Sequence, residues 1–128
     1  MDYIKLKGNN GSVPNPYYRQ FSLTFFADGN SALIITSGRP PEDSIIDREK
    51  KTFSLENIAE LMTEAQQLSL HYDDSAMVGG PEKFIEINRE NRIANVLTVR
   101  ENTDESKFFF KCIDFYNADL KQRLADIL

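Results

Sequence analysis

The chain has 128 residues, 41% of them hydrophobic and 27% charged, which matches one ordinary globular domain and excludes wholesale disorder. Fifteen Lys and Arg against twenty Asp and Glu give a net charge of −5, so neither nucleic acid nor an anionic membrane is an expected partner. One Cys (Cys112) and one His (His71) exclude an intrachain disulfide framework, a cysteine-rich zinc site and a multi-histidine metal centre.

Residues 2–7 place Ile4 and Leu6 on one side and Lys5 and Lys7 on the other, a short strand pattern. Residues 8–16, rich in Gly, Asn and Pro, read as a loop. Alternation over 17–27 puts Phe21, Leu23 and Phe25 on one face. Asp28-Gly29 and the run Leu33, Ile34, Ile35 follow, predicting a hairpin. Pro40 and Pro41 stiffen the next loop. Residues 44–53 read as an exposed edge strand with a charged centre.

Ser54 is placed to cap a helix over 55–69, with Phe53 and Ile58 spaced as a hydrophobic staple. Leu55, Ile58, Leu61, Met62, Ala65 and Leu68 make its apolar stripe. A long loop is expected over 70–83, then a second hairpin from strands at 84–88 and 93–99. Residues 101–106 read as a turn. Residues 107–116 fit two templates. The aromatics Phe108, Phe109, Phe110, Phe115 and Tyr116 favour a strand. Phe109, Ile113, Tyr116 and Leu120 fit a helix, with Asn102 and Glu105 as a cap pair. The preferred reading is a strand, then a helix over 118–127 capped by Asn117. The expected class is α+β: an antiparallel or mixed sheet of about six or seven strands, with a central and a C-terminal helix packed on one face.

Chemistry is sparsely encoded. His71 is the only imidazole, and no Gly-x-Ser-x-Gly elbow displays a serine. Gly79-Gly80 lacks the phosphate-loop pattern, and Asp73-Asp74-Ser75 lacks calcium-loop spacing. No catalytic residue, metal or cofactor is expected, and the chain reads as a non-enzyme. No signal peptide and no apolar run of membrane-spanning length is visible, so a cytoplasmic location is expected.

Charge distribution says more. Residues 42–74 hold nine acids and three bases, and no Lys or Arg lies between Lys51 and Lys83. Glu56, Glu60 and Glu64 recur at four-residue steps along one helix face. With Tyr72, Asp73 and Asp74 they form the candidate partner-binding set. Its alternative is a solvated face serving solubility.

The Phe21–Phe25 strand turning at Asp28-Gly29, the Ser54-capped acidic helix, the Tyr72-Asp73-Asp74 loop and Gly80-Pro81-Glu82 before the Phe84–Asn88 strand carry a likeness. In architecture and composition the chain resembles the small acidic immunity proteins encoded beside contact-dependent, polymorphic or type VI secretion toxins. That resemblance implies stoichiometric occlusion of a cognate toxin with a basic surface. The alternative is a small acidic secretion chaperone or adaptor, a class expected to be dimeric.

Overall fold

The computed structural model describes residues 1–70, 82–90 and 95–128. The element order is β1 (Tyr3–Asn9), β2 (Arg19–Phe26), β3 (Asn30–Ser37), β4 (Ser44–Thr52), α1 (Leu55–Leu70), β5 (Glu82–Asn88), β6 (Asn95–Thr98), α2 (Asp104–Tyr116) and α3 (Leu120–Arg123). A single six-stranded sheet runs in the order β4-β3-β2-β1-β5-β6, with every neighbouring pair antiparallel. The class is α+β, as the order of elements implied.

The register explains the core. Leu6 pairs with Leu23 on β2 and Ile85 on β5, and Leu23 pairs with Leu33 on β3. Ile4 pairs with Phe25 and Ile87. Because side chains alternate along a strand, these residues all project from the same face. They join Ile58, Leu61, Ala65 and Leu68 of α1, and Phe109, Cys112 and Ile113 of α2, in one buried cluster. The loop expected from residue 8 starts later: Gly8 lies inside β1, opposite Phe21, whose ring occupies the space a Cβ would take.

The β2–β3 turn follows the sequence reading. Gly29 has φ +92, and the Asp28 carboxylate accepts hydrogen bonds from the Asn30 amide and side chain, both at 3.0 Å. The Gly29 carbonyl then accepts the Phe53 amide at 2.8 Å, tying the turn to the start of α1. Ser54 Oγ accepts the Asn57 amide at 3.2 Å, the expected cap. The stripe is narrower than expected, since Leu55 is exposed.

Residues 107–116 are the main correction. They form α2, not a strand. Glu105, Phe108, Phe109, Cys112, Ile113 and Tyr116 are its buried residues, at helical spacing. The cap is Thr103, whose hydroxyl accepts the Ser106 amide, so the Asn102–Glu105 pair does not serve and the turn over 101–106 ends at Thr103. Acids at Asp104 and Glu105 suit the positive end of the helix dipole. The helix expected over 118–127 reduces to α3 and a following turn; Asp119 stands at its cap position and Asn117 instead ends α2, while Leu120, Leu124 and Ile127 are buried. The second hairpin strand begins at Asn95; Ile93 lies outside the described residues.

Candidate functional site

On α1, burial of Ile58, Leu61, Ala65 and Leu68 turns the intervening positions outward. Glu56, Ala59, Glu60, Thr63 and Glu64 line one shallow surface depression. The three glutamates are therefore brought together, as their spacing predicted. Tyr72, Asp73 and Asp74, the rest of the expected set, lie outside the described residues, as do His71 and Gly79-Gly80.

Their charges are not equivalent. Lys111 of α2 places Nζ 2.6 Å from Glu64 Oε2, and this bond, with the nearby Glu64 charge, raises the lysine's pKa above its ordinary value. Both side chains are solvent-facing, so the pair is screened. Among the described residues, Glu56 and Glu60 have no ion-pair partner. The sequence correctly showed no cation within this helix. The neutralising lysine arrives from a helix 47 positions downstream, a separation that local spacing does not reveal.

Two more acids of the 42–74 stretch are also matched, both by one distant cation. Arg123 Nη2 lies 2.6 Å from Asp47 Oδ2 and 2.6 Å from Glu49 Oε2. Tyr116 donates its hydroxyl to Glu49 at 3.0 Å, and Lys51 donates to the Tyr116 carbonyl at 3.0 Å. The Arg123 hydrogen bond, helped by Tyr116, holds the Glu49 carboxyl below the ordinary glutamate range against the opposing effect of burial. Tyr116 is pushed up from the ordinary tyrosine value, by burial first and then by Glu49. These acids serve a structural clasp at the sheet edge rather than an open surface.

The single cysteine is not poised for nucleophilic chemistry. Cys112 is fully buried, and burial drives its thiol pKa far upward, away from thiolate. Among the described residues, no group of three His, Cys, Asp or Glu side chains is placed to hold a metal ion. No helix among them is long and apolar enough to cross a membrane.

The second face of the sheet carries the opposite charge. Lys5 and Lys7 on β1 share it with Arg48 and Lys50 on β4, through the registers Lys5–Thr24–Ala32–Lys50 and Lys7–Ser22–Ile34–Arg48. Lys7 donates to Glu86 Oε1 at 2.8 Å, and Tyr3 donates to the other oxygen of the same carboxylate. Burial pushes the Glu86 carboxyl up, but those two hydrogen bonds, together with the charges of Lys7 and Lys5, outweigh it and leave the pKa low. The alternation in residues 2–7 had already put both lysines opposite Ile4 and Leu6. Their juxtaposition with Arg48 and Lys50 depends on strand order, which no local pattern carries. No protein-family model matches the chain, and no curated protein matches it.

Proposed function

We propose that the chain is an immunity protein: a cytoplasmic, non-catalytic binder that neutralises a cognate bacterial toxin by occluding its active or substrate-binding surface. The observation that carries this reading is the outer face of α1. Glu56 and Glu60 stand exposed, with no cation paired to them among the described residues, on a helix anchored through Ile58, Leu61 and Ala65. A rigid anionic ridge attracts a basic partner over long range and fixes its orientation. Glu64 contributes less, because Lys111 already offsets its charge.

The test begins with the neighbouring reading frame, the C-terminal region of whose product is co-expressed with this chain and alone. Protection of the cell and a one-to-one complex are the expected results. In stopped-flow mixing, Glu56→Gln/Glu60→Gln slows association about threefold to tenfold at low salt and much less at high salt. An association rate unchanged at low salt removes α1 from the interface. The second reading, a secretion chaperone or adaptor, draws support from Ile45 and Ile46 on the edge strand, which are 50% and 56% exposed. That reading expects an obligate dimer, and sedimentation of the purified protein separates the two.

A further inference from the structure

A shallow groove of about 270 Å³ lies on the second face of the sheet, with Lys5, Lys7, Asn9, Gln20, Ser22 and Thr36 among its lining residues. Every charged residue lining it is a cation, on a chain where acids outnumber bases twenty to fifteen. Its neutral polar groups are amides and hydroxyls, all able to donate hydrogen bonds. Thr36 adds an independent sign. The residue is only 8% exposed, and its hydroxyl has no hydrogen-bond partner. A buried hydroxyl left unpaired is a standing cost that an incoming acceptor oxygen relieves.

The groove itself ends at Ile34 and Thr36 on β3, but the same face of the sheet extends beyond it to β4. Ser22, Thr24, Ala32 and Ile34 make a low floor between Lys5 and Lys7 on β1 and Arg48 and Lys50 on β4. Three strand spacings separate the two cation pairs, about 14 Å. An extended chain covers that distance in about four residues. Lys7 is shared with Glu86; Lys5 stands opposite Glu86 and its charge acts on that carboxylate, but it makes no ion pair of its own among the described residues.

We propose that this face receives an acidic segment of a partner protein, lying across the strands with carboxylates on Lys5 and Lys7 at one end and on Arg48 and Lys50 at the other. Charge complementarity selects the occupant. The groove is too open to enclose a small free anion, so the ligand must supply its own bulk. Half-buried Ile34 and Phe84 at the groove give apolar side chains of such a segment somewhere to rest. A nucleic-acid backbone meets too few cations here and is repelled by the net charge of −5. This surface is distinct from the α1 ridge and opposite in sign, so the proposal stands whether or not α1 binds a toxin.

The probe is a fluorescein-labelled peptide with Glu at positions about four apart and apolar residues between, compared with the same peptide carrying Gln. Fluorescence anisotropy on the full-length protein should show the Gln peptide binding about tenfold more weakly. Lys5→Gln/Arg48→Gln should weaken the Glu peptide about tenfold, and Lys5→Arg should restore most of the Lys5 share. Thr36→Val should lower affinity while raising the Tm, a pairing that mere structural damage does not produce. The exposed Glu101→Gln, outside both surfaces, should leave binding unchanged. Equal binding of the two peptides overturns the proposal. So does an unaltered Lys5→Gln/Arg48→Gln variant, an equal effect from Glu101→Gln, or tighter binding of inorganic phosphate or single-stranded RNA.

Discussion

The middle of the sheet and its β4 edge are stabilised by different physics on the same inward-facing side. At the centre, Ile4, Leu6, Leu23, Phe25 and Leu33 are fully buried, and area removed from water holds them. At the edge, the equivalent positions are Asp47, Glu49 and Lys51, opposite Ile35, Leu33 and Ser31. There Arg123 and Tyr116 replace apolar packing with ion pairs and hydrogen bonds. The difference follows from solvent: a strand with one free edge admits water, and inward charges with a register shift near Ile46 discourage pairing with a foreign strand. Adhesion by area suits a sealed interior, and adhesion by charge suits a boundary that must not become sticky.

Substitutions in the two regions should therefore differ in size and in salt response. Leu23→Ala, at the sealed centre, should cost about 3 kcal/mol in urea denaturation and be insensitive to salt. Next comes Gly29→Ala at the turn that joins both regions. Its φ of +92 strains any side chain, and a Cβ there would stand 2.6 Å from the Phe53 carbonyl oxygen. A loss of about 2 kcal/mol is expected. Arg123→Ala at the edge should cost about 1 kcal/mol, much of it recovered by salt, because the pairs it makes are partly solvent-exposed. An Arg123→Ala loss as large and as salt-insensitive as that of Leu23→Ala would erase the contrast.

The edge should also respond to acid. Glu49 has a folded-state pKa below the ordinary glutamate value, so the unfolded chain takes up its proton first as pH falls. Its contribution is complete above the ordinary glutamate range and is lost as pH drops through the lower folded value. Arg123→Ala should flatten that part of the stability–pH curve. The smallest effect is expected on α1: Glu64→Gln should change stability by only a few tenths of a kcal/mol, because its bond to Lys111 is exposed on both sides.

The same contrast describes what could be read from sequence. The β2–β3 hairpin and α1 were legible because Asp28-Gly29, Ser54 and the Ile58–Leu68 stripe are local signals. Residues 107–116 misled because aromatic side chains favour strands only insofar as they pack well on a pleated surface. Here the helical spacing of Phe109, Ile113 and Tyr116 met a core that could bury it, and Thr103 supplied the cap. The three α1 glutamates were placed correctly by a four-residue step. That Lys111 matches one of them, and that Arg123 matches Asp47 and Glu49, depends on tertiary approach. The cationic face was half visible in Lys5 and Lys7 and completed only by strand order.

The position of β1 has a consequence for how the polypeptide acquires its shape. It sits between β2, its neighbour in sequence, and β5, whose first paired contact lies at Glu82. Before β5 is synthesised, the β1–β4 meander can form with one flank of β1 unoccupied. That flank waits through the whole crossover before its second neighbour exists. β1 is thus enclosed later than β2 and β3, although it precedes both in the chain.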